Sequence, residues 1–410
     1  MSLVGQPAHP PLEGVRVVEL GVWHAGPGGG AILGQLGAEV IKVESLVGDP
    51  ERHNGPFGNM NAEVLNDGDW TLIFELSNHN KKSVQIDVSR PEGLRLIQAL
   101  LREADVFLTN LRTETLERLG LDYKSVREVN DKIIYSGTTG FGPEGPMRNT
   151  GGFDTLGQAY SGMLYLLNPE EPTPLSTMVL DQLAAIVTGF AIMTALVHRE
   201  RTGEGQDVYT SLLGTGIWSM YVNLFTTAAL GTEVDTEWKR RRQGVLRSLY
   251  KCADGEWIAC VHNPEEPYWA KFCAAIGRPD LAEDPSLATR SLRIPHLERV
   301  YDAIDAAMLE RTSTEWLEIF GALDLFFTPV RRFRDVLVDP QVVANDYVET
   351  IDHPALGRVT IPSLPITFGR SKPVPHEGAP RLGADTAATL GPTGCDESTL
   401  EELRRSKIIG

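Results

Sequence analysis

The sequence predicts an α/β protein: an open parallel sheet with helices on both faces, joined to a smaller α+β domain. Three observations carry this. Short apolar runs alternate with helix-period segments from residue 15 to residue 136. A glycine-rich turn at 26–31 links the first run to the first helix. Beyond residue 229 the alternation stops, and a hairpin signal followed by helical segments replaces it.

The elements follow in order. Residues 15–20 form a strand. Pro27 opens a small-residue helix to residue 36, because the first helical turn has unpaired N–H groups in any case. EVIKVE at 39–44 is the second strand, so the unit is βαβ and the two strands are parallel. Strands are expected at 84–88, 106–109 and 132–136. Pro91 starts a helix on which Leu94, Ile97 and Leu101 recur at helical spacing, and a short helix covers 114–119. Residues 181–199 are a strongly apolar helix, expected to be buried, with Asp181 at its head as N-cap. Residues 239–242 (KRRR) are a basic run. SLYKCADGEWIACV places Asp254-Gly255 between two apolar stretches, a hairpin signal. Helices follow at 266–276, 295–309 and 315–323, with Thr312 and Glu315 as a capping box. Ser398 and Glu401 cap a last helix at 399–405 in the same way. The domain reading is 1–229 for the first part of the large domain, 230–246 for a linker, 247–330 for the small domain, and 331–410 for a linker and a return to the large domain.

Composition narrows the function. The chain has 410 residues, 42% of them hydrophobic, enough for two cores. With 38 basic and 55 acidic residues its net charge is -17, which argues against a nucleic-acid partner. Any phosphate ligand then needs a local basic patch. Cys252, Cys260, Cys273 and Cys395 are scattered without metal spacing, so no metal is expected and reduced thiols in a cytoplasmic protein are. No signal-like run opens the chain and no stretch reads as a membrane span.

GPGGGA at 26–31 fits the dinucleotide template G-x-G-x-x-A, and Glu44 ends the next strand. On this motif alone two readings stand: an NAD-dependent dehydrogenase using the 26–30 turn, or a tight turn whose small residues permit close packing.

The surrounding residues go further. PLEGVRVVEL at 11–20, HAGP at 24–27 and LGAEVIKVE at 36–44 come in that order. Asn80, Lys81, Lys82 and Ser83 lead into Ile86-Asp87, and Ala104-Asp105-Val106 into Asn110, Leu111 and Arg112. Gly152-Phe153-Asp154 precedes Gln158, Ser161 and Gly162, and Asp181 precedes HRERTG at 198–203. HPALGRVTIPSLP from His353 and APRLGADT from Ala379 close the series. This pattern resembles the class III CoA-transferases, a family that includes formyl-CoA and carnitine CoA-transferases and the methylacyl-CoA racemases. The resemblance covers nearly the whole chain.

It implies a Rossmann-like large domain built from both chain ends, a small middle domain, and two subunits interlocked as a homodimer. It implies coenzyme A as the acyl carrier, with an acyl-CoA and a small carboxylic acid as partners. By resemblance Asp181 is the nucleophile, passing through an aspartyl anhydride and an aspartyl thioester. The CoA site falls on His24, Ala25, Ser45, Ile86, Asp87, Val88, Ser89, Asn110, Leu111, Arg112, Arg118, Gly151, Gly152, Phe153 and Asp154. A donor at His24 would contact the thioester oxygen, and a carboxylate at the head of a buried helix would be held ionised. The 239–242 run would meet the CoA 3′-phosphate or lie solvated in a linker.

Four departures qualify the match. Ser45 stands where relatives often carry Arg, and Ser89 where some carry Lys. No glycine-run loop occurs near Gln243-Gly244. Phe153 occupies the position where the racemase branch has His, and Phe cannot relay a proton. CoA transfer is therefore the expected reaction, with an acyl-CoA racemase or isomerase on the same fold as the rival.

Overall fold

The computed structural model describes residues 9–53, 69–175, 178–234, 240 and 244–410. The chain separates into two compact units: Met1–Asp235 with Asp346–Gly410, and Thr236–Asn345.

The large unit is built on six parallel strands: β1 (Arg16–Leu20), β2 (Glu39–Glu44), β3 (Lys81–Gln85), β4 (Val106–Thr109), β5 (Ile134–Thr139) and β6 (Asp207–Ser211). Their order is β3-β2-β1-β4-β5-β6, the Rossmann arrangement. Val18 at the centre pairs with Ile41 on one side and Phe107 on the other. These β-branched and aromatic side chains are buried, as strands covered on both faces require.

Helix α1 (Pro27–Gln35) lies almost wholly buried between the sheet and α7 (Val179–Thr202). Its glycines are what let it fit. A Cβ on Gly29 would sit 2.9 Å from Thr188 Cγ2, and one on Gly30 would sit 2.1 Å from Glu19 Oε2.

A cluster of buried charges lies at the same place. Lys81 Nζ donates to Glu19 Oε1 and Oε2 at 2.9 and 2.8 Å, to the Pro27 carbonyl at 2.8 Å and to Asn78 Oδ1 at 3.0 Å. Lys42 Nζ meets Glu19 at 3.2 Å, the Gly21 carbonyl at 3.0 Å and Asp49 at 2.9 Å. Burial pulls the Lys81 ammonium down to about 8, with the Lys42 charge adding to that and Glu19 opposing it.

Several expectations change. The third strand lies at Lys81–Gln85, not 84–88, because its period of two buries Lys81 against Glu19 and turns Lys82 outward to Glu39. Ile86 then bridges to Ile409 of the return segment. The fifth strand is Ile134–Thr139 rather than 132–136. The reading missed β6 and the helices α2 (Leu72–Asn78), α5 (Tyr123–Val129), α6 (Asp154–Tyr160), α8 (Leu212–Ser219) and α9 (Tyr221–Leu230). The helices α3 (Pro91–Arg102) and α4 (Thr113–Leu119) lie where expected. Helix α7 is buried on one face only, through residues such as Ala184, Thr188 and Ile192, while Ile186, Phe190 and Val197 are exposed. It is also long and apolar enough to cross a membrane by length and composition, contrary to the expectation that no stretch is. The last helix is Glu397–Arg405, capped by Asp396 through Thr399 N at 2.9 Å rather than by Ser398.

The return segment starts with a hairpin, β10 (Val348–His353) and β11 (Gly357–Pro362). Its buried His353 and partly buried His376 contact Glu75 at 3.1 and 2.8 Å.

In the small unit, β7 (Arg247–Lys251) and β8 (Trp257–Val261) form the expected hairpin around Gly255, and β9 (Phe327–Pro329) extends it. The capping box of Thr312 and Glu315 is formed. Phe272, Trp316, Phe320, Tyr250 and Tyr301 make its core. Arg240 lies over Tyr250 and Tyr301 and pairs with Asp305, so it is neither a solvated linker charge nor free for a phosphate. Lys239, Arg241, Arg242 and Gln243 lie outside the described residues.

Removing one member of a buried charge set leaves its partner uncompensated. Lys81→Met is expected to destabilise the large unit by about 3 kcal/mol. Urea denaturation followed by circular dichroism reads this as a lower midpoint with unchanged slope.

Candidate active site

The site is assembled at the start of α7. Met178 precedes this helix in a left-handed conformation, φ 63°, and caps nothing with its side chain. The cap comes from another helix. Asp154, in the first turn of α6, accepts from Leu180 N at 2.7 Å and from Asp181 N at 3.1 Å through Oδ2. Its Oδ1 accepts from Gln158, whose own amide oxygen takes Leu175 N at 3.0 Å. Asp154 thus serves as the N-cap that the sequence reading gave to Asp181.

Asp181 lies within the first turn, half-buried, and its carboxyl makes no hydrogen bond or ion pair with any described residue. Burial, with the Asp154 charge adding to it, pushes its pKa up to about 7. The expectation that the helix start holds it ionised is corrected. The N–H groups that would favour its charge are engaged by Asp154.

His24 is 4% exposed. Its Nδ1 lies 2.9 Å from Ser77 Oγ and its Nε2 lies 2.7 Å from Gln182 Oε1. Burial lowers its pKa and Lys81 lowers it further, while Gln182 and Asp154 oppose. Both ring nitrogens are used within the protein, so the direct contact to a thioester oxygen expected of His24 is not available. Gln182 and Ser77 went unremarked in the sequence, since nothing in spacing links residues 24, 77 and 182.

The remaining expected CoA-site residues divide. Ser45, Ile86, Asp87, Val88, Ser89, Leu111 and Arg118 line one cleft of about 290 Å³ at the carboxyl ends of β1 to β4. That is the switch point of the sheet, where its strand order reverses. Arg118 is exposed there and forms no ion pair with a described residue, leaving its guanidinium open to an anion. Asp87 shapes the rim by accepting from Ser89 N and Oγ at 3.1 and 2.6 Å.

The others lie off the cleft. Asn110 is a clamp: Nδ2 donates to the Val22 carbonyl at 2.6 Å and Oδ1 accepts from Val22 N at 2.9 Å. Its amide holds the turn that follows β1. Ala25 packs on the apolar cluster around Leu180 and Ala184. Arg112 lies against Gly151, where a Cβ would fall 2.7 Å from its Nη2. Gly152 crosses Gly140 so closely that a Cβ would come within 2.4 Å of the Gly140 Cα. Phe153 is 56% exposed and meets the edge of Trp23 at 5.8 Å.

The dinucleotide reading of the glycine turn fails on Glu44. Both its oxygens are engaged, by Arg52 at 2.7 and 2.8 Å, by Ser83 Oγ at 2.6 Å and by Asp49 N at 3.0 Å. No oxygen remains for a ribose hydroxyl, and none of residues 26–31 lines the cleft.

The model of CoA-transferase family III matches residues 12–386. The chain belongs to CoA-transferase family III. It is 32% identical over 401 residues to the (R)-2-hydroxy-4-methylpentanoate CoA-transferase of Clostridioides difficile, covering 97% of this chain and 99% of the relative. It is 32% identical over 374 residues to the succinyl-CoA–D-citramalate CoA-transferase of Chloroflexus aurantiacus, covering 88% and 89%. A solved CAIB/BAIF family protein from Brucella suis superposes with a TM-score of 0.81 at 28% identity, covering 94% of this chain and 100% of that one. The family makes this chain an enzyme of the CoA-transferase type, using CoA thioesters.

The Asp181 pKa is raised on folding, so its cost to stability accumulates as pH rises from the ordinary aspartate range to about 7 and is constant above that. Asp181→Asn removes that cost. The variant is expected to match the wild type at pH 4 and to exceed its stability at pH 8 by about 2 kcal/mol. Denaturant titrations at the two pH values check both the sign and the window.

Proposed function

We propose that the enzyme moves CoA from an acyl-CoA thioester to a free carboxylic acid through covalent intermediates on Asp181. The observation that carries this reading is the Asp181 carboxyl, half-buried, without a partner among the described residues and with its pKa at about 7. A poorly solvated carboxylate is a better nucleophile than one pinned by donors.

The Asp181 oxygen attacks the thioester carbonyl carbon, and the C–S bond breaks to give a mixed anhydride and CoA thiolate. The thiolate attacks the aspartyl carbonyl of that anhydride, releasing the donor acid as its carboxylate and leaving an aspartyl–CoA thioester. The acceptor carboxylate attacks this thioester and expels the thiolate once more. The thiolate takes the acyl carbonyl of the second anhydride, which frees the new acyl-CoA and the Asp181 carboxylate. No step needs a proton donor or acceptor, so Phe153 in place of a relay residue is no obstacle. The cleft below the switch point would hold CoA, with Arg118 facing phosphate. (R)-2-hydroxy-4-methylpentanoate and D-citramalate, named for the relatives, are the first acids to try.

The same proposal includes a homodimer. Helix α9 buries none of its residues, and Tyr221, Val222, Phe225 and Leu230 are all more than half exposed. A second copy of the chain would cover them. Light scattering is expected to give twice the 45.0 kDa of one chain; a single-chain mass would overturn the dimer.

The deciding measurement is transfer of CoA to an isotopically labelled free acid. Label is expected in the CoA ester, and Asp181→Ala is expected to lower the rate by on the order of 10⁴-fold. Exchange of the α-proton without transfer of label would overturn the reading in favour of isomerisation. The reacting form of Asp181 is the anion, so kcat/KM is expected to rise with pH through about 7 and level off above it.

A further inference from the structure

We infer that the Gln182 amide nitrogen donates a hydrogen bond to the reacting acyl oxygen, and that His24 is the positioning residue that aims it. This rests on the covalent reading of Asp181.

Gln182 follows Asp181 directly on α7 and its side chain reaches the surface. Its Oε1 is fixed 2.7 Å from His24 Nε2, and its amide nitrogen has no partner among the described residues. An amide held by its oxygen on one side presents both N–H bonds on the other. The imidazole is too deeply buried to reach a substrate, so whatever it contributes must pass through Gln182.

The proton arrangement supports that direction. Burial favours the neutral ring. A neutral ring facing an amide oxygen carries its proton on Nε2, so Nδ1 is the acceptor toward the Ser77 hydroxyl at 2.9 Å, a shorter contact than that hydroxyl's alternative acceptor, the Ile73 carbonyl at 3.3 Å. The ring is also fenced sterically. A Cβ on Gly28 would lie 3.0 Å from His24 Cε1 and 2.9 Å from the Ala185 methyl, so only glycine leaves this space. The glycine turn that resembles a nucleotide site is here the seat of the imidazole.

Each acyl step passes through a tetrahedral species whose former carbonyl oxygen carries negative charge. A fixed neutral donor one residue along the helix from the nucleophile would stabilise that charge and needs no proton transfer. Its effect belongs to kcat rather than to binding.

The test uses the full-length enzyme with a donor and acceptor that the wild type turns over. Gln182→Ala is expected to lower kcat by ~100-fold with KM changed by less than about threefold. His24→Ala is expected to lower kcat as well, but to add no more than about twofold in the Gln182→Ala background, because the pair acts as one unit. His24→Gln, which restores an N–H toward Oε1, is expected to recover most of the loss. Circular dichroism and thermal melting confirm that each variant is folded. Gln182→Ala within twofold of wild type, with Asp181→Ala inactive, would overturn this inference and leave the covalent reading standing. Turnover by Asp181→Ala would overturn both. Independent, multiplicative losses for His24 and Gln182 would reduce His24 to packing and overturn its positioning role.

Discussion

The Glu19 carboxylate, fully buried on the central strand, is the constraint on which the large unit depends. It draws in the Lys42 ammonium from the adjacent β2 and the Lys81 ammonium from β3, one strand further out. Lys81 also holds the Pro27 carbonyl, and Gly30 leaves room for the carboxylate. With Asp49, which pairs with Lys42, four buried charges are tolerable only while they satisfy one another. The register of β1 to β3 and the seat of α1 are therefore decided together. The turn that carries His24 inherits its position from that decision.

A second set of charges closes the edge of the cleft. Glu44 and Arg52 pair bidentately, and Ser83 bonds the same carboxylate. Arg52 then donates to the Pro380 carbonyl, Asp385 accepts from Ser83 N, and the Ile408 carbonyl accepts from Asp87 N. Residues about 300 positions apart in sequence thus fix the loop that rims the cleft. In a protein of net charge -17, a phosphate would need a local cation against the repulsive field, and Arg118 is one such cation on this cleft.

At the start of α7 the fold keeps two carboxylates close and gives them different surroundings. Asp154 takes the helix N–H groups and a glutamine amide, while Asp181 takes none. Environment rather than residue type separates their tasks. The arrangement costs stability, which is a common feature of reactive sites.

The sequence by itself determined the alternation that makes the parallel sheet, the hairpin at Gly255, the Thr312 capping box and the family. These rest on local periodicity, on turn chemistry and on the order of the motifs along the chain. The family pattern groups Ser45, the 86–89 run, Leu111 and Arg118, which line one cleft; all but Arg118, on the last turn of α4, sit just past the end of a strand. Only the tertiary structure decided that Asp154 caps the helix on which Asp181 lies, that Asn110 clamps a turn, and that Glu44 is closed to a ribose. It also decided that His24 speaks to Gln182. Each of these depends on which polar groups meet once water is excluded, and that pairing joins residues between 5 and 158 positions apart. The period of a strand or helix carries no record of it.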